Sequence, residues 1–220
     1  SILRPGPLRA WLAAAVRAGL ADELGAPGSL TVFAPDNNAF RKAGFTSAAA
    51  ITAADEDYVK SIVQYHVLTS KVTASQVPAG PNAAVSSFGG VTLFATNNGT
   101  DVFINGVKVK KANIEADNGV VHVIGSVLLP PTGNIVQTAV ANSSFTYLVA
   151  AIQRASTGAV NVAGVLSGAG PFTVFAPTND AFIDAGFETI DEINATDPAA
   201  LTPILTYHVI GARVFSSDLT

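Results

Sequence analysis

Hydrophobic positions along this chain follow two periods, and the switches between them outline its elements. Leu8, Trp11, Leu12, Ala15, Val16, Leu20 and Leu24 recur at helical spacing, which predicts an amphipathic helix near the N-terminus. Phe145, Leu148, Val149 and Ile152 repeat that pattern farther along. Residues 30–34 and 172–176 are short β-rich runs closed by Pro35 and Pro177. Asp36 or Thr178 then offers an N-cap oxygen to a helix carrying Phe40 or Phe182. Residues 91–94, 102–104, 107–109 and 120–124 are further β-rich segments, separated by Asn-Gly pairs at 98, 105 and 118, a strong hairpin signal. The expected unit is α+β, with helices early and a strand meander late.

The pattern occurs twice. Thr31-Val-Phe-Ala-Pro-Asp-Asn-Asn-Ala-Phe40 returns as Thr173-Val-Phe-Ala-Pro-Thr-Asn-Asp-Ala-Phe182, Ala43-Gly44-Phe45 as Ala185-Gly186-Phe187, and Tyr65-His66-Val67 as Tyr207-His208-Val209. All three pairs keep one offset of 142 residues. A strand-helix-helix unit has therefore been duplicated without net insertion or deletion.

These blocks resemble the fasciclin-domain family. The Thr-Val-Phe-Ala-Pro block, with Pro35 or Pro177, is similar to the family's first motif. The pairs Tyr65-His66 and Tyr207-His208 are similar to its central motif, and Asn118-Gly119-Val-Val-His122-Val-Ile-Gly-Ser-Val-Leu-Leu-Pro130 to its second. The resemblance spans essentially the whole chain. It implies two β-wedge domains with packed helices, residues 1–133 and 134–220, the second holding only the N-terminal part of its unit. It also implies an extracellular, cell-wall or organelle-lumen setting, adhesive or binding roles, and no enzymatic activity. Nothing after Tyr207-His208 matches residues 79–133, so the chain as biosynthesised is expected to continue past Thr220 into those strands.

Composition narrows the function classes. The chain is 49% hydrophobic and 13% charged with mean hydropathy +0.40, which excludes intrinsic disorder. A net charge of -4 and a pI near 5.2 leave no footprint for nucleic acid. So thinly charged a surface favours association with a partner. There is no cysteine, hence no disulfide, thiolate metal site or cysteine nucleophile. Apolar runs such as 12–16 and 120–124 fall far short of the roughly 18 residues a membrane span needs. Charge is unevenly shared: residues 1–133 carry ten basic and nine acidic side chains, residues 134–220 two and seven.

Candidate chemistry is sparse. His66 shares a predicted helix face with Val59, Ile62 and Val63, and His208 with Leu201, Ile204 and Leu205, so both imidazoles are expected to be buried and hydrogen-bonded inside the protein. His122 lies in an alternating strand. No His-x-His or His-Glu-x-x-His pattern, nucleophile elbow, phosphate loop or dinucleotide fingerprint occurs, so neither metal, cofactor nor catalytic group is expected. Asp55-Glu56-Asp57 and Asp191-Glu192 suit solvated helix starts. Lys108, Lys110 and Lys111 suit a polar strand face able to dock an acidic protein surface. Asn98, Asn142 and Asn194 open Asn-x-Ser/Thr sequons, acceptors for glycan in a secretory protein.

The leading reading is a non-enzymatic adhesion or scaffold protein acting through protein or glycan surfaces, extracellular matrix included. A second is a soluble extrinsic subunit of a larger membrane complex, for example in an organelle lumen such as the thylakoid. A third is a carrier of an apolar small molecule such as a pigment or lipid, which requires a well-formed apolar cleft.

Overall fold

The computed structural model describes residues 6–219. It divides into two compact units between Pro130 and Pro131, with the residues from Phe215 onward grouping with the first.

The first unit opens with α1 (Arg9–Arg17) and α2 (Ala21–Gly25). The pattern from Leu8 to Leu24 is thus two helices rather than one, because Gly19 turns the chain at φ +67 between them. There follow β1 (Leu30–Pro35), α3 (Asn37–Lys42), α4 (Ala48–Ala53), α5 (Glu56–Tyr65) and β2 (Val67–Leu68). The meander is β3 (Gly80–Ser86), β4 (Thr92–Asn97), β5 (Val102–Ile104), β6 (Val107–Ala116) and β7 (Gly119–Ile124). These strands form one seven-stranded sheet in the order β2-β1-β7-β6-β5-β4-β3. Only β1 and β7 pair in parallel, from Leu30↔Gly119 to Pro35↔Ile124.

That pairing organises the core. Alternation along β1 sends Val32 and Ala34 into a cluster with Trp11, Phe40, Ile51, Val63 and Val121. Phe33 points the other way, into a second cluster with Tyr65, Leu93, Ile104, Ile124 and Leu128. Strand β7 is buried along its whole length because both of its faces are covered.

The helix starts follow local chemistry. Asp36 Oδ1 accepts from the Ala39 N–H at 2.8 Å, and Asp55 Oδ1 from the Tyr58 N–H at 2.8 Å. Glu56 and Asp57 occupy the first turn of α5, as Asp191 and Glu192 do in α10 (Ile190–Ala195).

The second unit comprises α6 (Ile135–Val140), α7 (Thr146–Ala155), α8 (Val162–Leu166), β8 (Thr173–Val174), α9 (Asn179–Asp184), α10, α11 (Pro198–Tyr207) and β9 (Val209–Ile210). Its core gathers Leu148, Ala151, Ile152, Phe182, Ile193, Leu201 and Leu205. Strand β8 pairs antiparallel with β9, as β1 does with β2.

Candidate functional site

In the first unit the residues of the three motifs meet where α5 ends and β7 closes on β1. His66 is the C-cap of α5 and fully buried. Its Nδ1–H donates to the Ile62 carbonyl at 2.7 Å, and its Nε2 accepts from the Leu128 N–H at 2.9 Å. The Trp11 ring lies 5.6 Å away. The His66 carbonyl accepts in turn from the Phe33 N–H at 2.9 Å, so one residue ties helix, strand and the stretch after β7 together. Burial pushes its pKa down from 6.5 to about 4, against the opposing pull of the Ile62 bond, and the ring is neutral at physiological pH.

Tyr65 turns to the other core. Its hydroxyl donates to the Thr92 carbonyl at 3.2 Å and accepts from Asn105 Nδ2 at 2.8 Å. Asn105 and Gly106 have φ values of +47 and +75, the geometry a tight two-residue hairpin requires between β5 and β6. The Asn-Gly signal at 105 is thus a turn whose side chain also anchors Tyr65.

His122 is the other buried imidazole of the first unit. Its Nε2–H donates to the Val72 carbonyl at 2.8 Å, and its Nδ1 accepts from the Asn113 N–H at 3.3 Å, at an irregularity in β6. The ring stacks on Phe33 at 5.5 Å, and burial lowers its pKa. Asn118 and Gly119 work differently from the hairpin signal read at that pair. Ala116 pairs with Gly119, so the turn is Asp117–Asn118, and Gly119 already belongs to β7. Asn118 Nδ2 donates to the Leu24 and Ala26 carbonyls at 2.9 and 2.8 Å, closing the end of α2. Pro35 ends β1 opposite Ile124, and Asp36 next to it is held by Lys110 at 2.7 Å. Burial raises the Asp36 pKa, but the Lys110 ammonium and the Ala39 N–H outweigh it, so the carboxyl stays below its ordinary value.

The second copy is a correction to the expectation that its histidine is a core residue. His208 keeps the Nδ1–H bond to the Ile204 carbonyl at 2.8 Å, and its carbonyl accepts from the Phe175 N–H at 2.9 Å. It is only half-buried, however, while Tyr207 is 91% exposed and Ile204, on the same face, 44%. In the first unit β5, β7 and the Leu128 stretch cover the corresponding residues, and no such strands are among the described residues of the second. Pro177 follows β8, and Thr178 caps α9 through the Ala181 N–H at 3.4 Å. The sequon residues Asn98, Asn142 and Asn194 are all exposed.

Several structural residues carried no individual role in the sequence. Thr31 Oγ1 donates to the Ser70 carbonyl at 2.6 Å and accepts from the Val72 N–H at 2.8 Å; Thr173 does the same with Ala212 and Val214 at 2.7 and 2.9 Å. Arg17 Nε donates to the Ala54 carbonyl and Arg154 Nε to that of Thr196, at 2.9 and 2.8 Å. The recurrence of the same residue types in both copies was the available signal.

The three histidines and Tyr65 thus spend their polar atoms largely on backbone groups. Among the described residues no group of three or more His, Cys, Asp or Glu side chains is placed to hold a metal ion. No helix there is long and apolar enough to cross a membrane.

Comparison with known proteins identifies the family. The fasciclin-domain model matches residues 7–130 and 143–220, and the chain belongs to that family. Human periostin is 30% identical over 96% of this chain and 24% of its own length. The pig transforming growth factor-beta-induced protein ig-h3 is 30% identical over 87% of this chain and 27% of its own. The Synechocystis protein sll1483 is 41% identical over 54% of this chain and 66% of its own. The chain thus spans about a quarter of the first two relatives. A solved FAS1 domain pair from the insect cell adhesion molecule fasciclin I covers 97% of this chain and 76% of its own, with a TM-score of 0.49 at 18% identity.

The buried imidazoles make stability acid-sensitive. Unfolded, His66 takes a proton near pH 6.5; folded, near 4. Its contribution is therefore present in full above pH 6.5 and lost as pH falls to about 4, a loss of about 3 kcal/mol. His122 acts in the same direction. Urea titrations at pH 7.5 and 4 should show this drop, and a His66→Gln variant should show a shallower one. An unchanged slope in that variant would contradict the neutral, buried assignment.

Proposed function

We propose that this chain is a non-enzymatic binding protein of adhesive type, recognising protein or glycan surfaces in an extracellular, cell-surface or lumenal setting. Membership of the fasciclin family supports it. The observation that carries it is the internal use of the motif side chains: in the first unit His66, His122 and Tyr65 join helix to sheet through backbone groups, so recognition falls to the outer surface. Exposed Asn98, Asn142 and Asn194 suit glycan attachment in the same setting. Chain immobilised on a biosensor should retain purified extracellular-matrix proteins or cell-surface glycans without turning them over. Failure to retain any member of a broad panel of both, with the protein shown to be folded, would overturn the reading.

The carrier alternative has one observation in its favour. In the second unit Ile135, Ala139, Phe145, Leu148, Phe172 and Val174 line an apolar hollow of about 350 Å³, within the range of small-molecule sites. In the first unit the positions matching Phe172 and Val174, Leu30 and Val32, face β7 in parallel pairing. There Leu30 and Val32 pack in one cluster with Val121 of β7, so a strand side chain covers the matching apolar surface. Organic-solvent extraction of the native protein separates the readings, since a pigment or lipid in near-equimolar amount would favour the carrier.

A further inference from the structure

A hollow of about 200 Å³ opens on the first unit between the start of α1 and the loop from α3 to α4, lined by Arg9, Ala10, Arg41, Phe45, Thr46 and Ser47. An adjoining hollow of about 270 Å³ shares Arg41 and the wall residue Asn37. A water molecule claims about 30 Å³ of liquid, so the first hollow has room for a small ring. Among the described residues Arg9 forms no ion pair, and the Arg41 guanidinium is steadied by Asn38 Oδ1 alone. The nearby carboxylate, Asp36, is already matched by Lys110 at 2.7 Å. Phe45 is half-buried and packed edge-on against Phe40 at 6.1 Å, so its ring is a fixed wall.

The second copy of the repeat shows that this hollow is not a by-product of the scaffold. Asn37 Oδ1 accepts from the Ala10 N–H at 2.9 Å and its Nδ2 donates to the Gly6 carbonyl at 3.2 Å. Asn179 makes the same two bonds with Tyr147 and Ser143, at 3.1 and 3.0 Å. Ala10 therefore corresponds to Tyr147 and Arg9 to Thr146. The offset of 142 pairs Arg41 with Ile183, Thr46 with Glu188 and Ser47 with Thr189. In the second unit the Tyr147 side chain spans this place, its hydroxyl donating to the Glu188 carbonyl at 3.0 Å. One backbone frame thus carries a plugged, cation-free version and an open version with two guanidinium groups.

We propose that the hollow of the first unit binds an acidic sugar unit, a pyranose carrying a carboxylate or a sulfate. The guanidinium groups of Arg9 and Arg41 supply charge-assisted donors to the anion. The face of Phe45 and the methyl of Ala10 receive the apolar side of the ring; the Thr46 hydroxyl bonds its hydroxyls, as does the O–H of Ser47, whose oxygen already caps α4 by accepting from the Ala50 N–H at 3.1 Å. An aspartate or glutamate of a protein partner would satisfy the arginines but leave the ring-sized space and the two hydroxyls unused. The proposal rests on the binding-protein reading above and names a ligand class for it.

The test is calorimetric titration of the 220-residue protein with tetragalacturonate, a heparin tetrasaccharide, neutral cellotetraose and tetraglutamate. At least one acidic saccharide should bind while cellotetraose and tetraglutamate do not, and the preferred one tells carboxylate from sulfate. Ala10→Tyr, which installs the plug of the second copy without changing charge, should weaken binding at least about tenfold with the melting temperature retained, on the scale of losing a charge-assisted contact. The exposed pair Arg9→Thr with Arg41→Ile should do the same, and it decides the matter if Ala10→Tyr does not fold. No binding of either acidic saccharide, equal binding of cellotetraose, tighter binding of tetraglutamate, or unaltered affinity in the folded variants would overturn the assignment. Because the titration uses free oligosaccharides, retention on the biosensor alongside a failed titration sinks this proposal alone. A successful titration with no retention of matrix proteins or surface glycans sinks the adhesive reading alone.

Discussion

Replacing Gly119 by Ala should destabilise the first unit by upwards of about 4 kcal/mol or prevent it from folding, among the largest effects a single methyl can have. A Cβ at this position would sit 2.1 Å from the Leu30 carbonyl oxygen, 2.8 Å from its carbon and 2.9 Å from the Leu30 nitrogen. These atoms are backbone, so no side chain can swing aside. They are also the first rung of the parallel β1–β7 ladder, and the Leu30 N–H donates to the Asn118 carbonyl at 2.9 Å. Moving β7 outward to admit the methyl would break that rung and uncover Val32, Val121 and Ile124. Gly99 is the control: it has φ +89 but nothing within 4 Å of the place a methyl would take, so Gly99→Ala should cost only about 1 kcal/mol of backbone strain. Urea unfolding followed by fluorescence of Trp11, the only tryptophan and a residue of this core, measures both. A Gly119→Ala loss below about 2 kcal/mol would mean that the strands do not approach as described.

The two equivalent histidines should respond very differently to truncation. His66→Ala removes a fully buried ring, leaves the Leu128 N–H and the Ile62 carbonyl without their side-chain partner, and opens a space against Trp11. Cavity and unsatisfied polar groups together predict a loss of about 4 kcal/mol. His208→Ala removes one bond, to the Ile204 carbonyl, from a half-buried ring, and should cost about 1 kcal/mol or less. Urea titrations followed by circular dichroism on the two variants provide the comparison. Equal losses would mean that His208 is as enclosed as its counterpart.

Much of the architecture was legible in the residues because it depends on local chemistry. Asp36 and Thr178 cap helices because a short side chain with an oxygen acceptor at that position reaches an N–H three residues on, whatever surrounds it. Asn105-Gly106 turns the chain because both residues tolerate positive φ. The helical spacing in α1 and α5 likewise follows from period alone. Strand β3 was not visible: Gly80-Pro-Asn-Ala-Ala-Val-Ser86 has little alternation, and it is a strand because β4 offers it a ladder. The turn at 118 was displaced by one residue, since the position that looks like the second half of a hairpin turn is needed as a side-chain-free rung against Leu30.

The duplication itself, the α+β class and the family were determined by the sequence alone, because identical blocks at one offset do not depend on how they pack. Only the tertiary structure decided what each copy does with them. Burial is a property of neighbours distant in the chain: Leu128 lies 62 residues from His66 and makes it a neutral core group, while His208, with the same local sequence, stays half-exposed. Only the folded chain, likewise, sets Arg9 beside Arg41 and Ala10 where Tyr147 stands in the other copy, because convergence of side chains from α1 and the loop after α3 is a consequence of packing rather than of spacing.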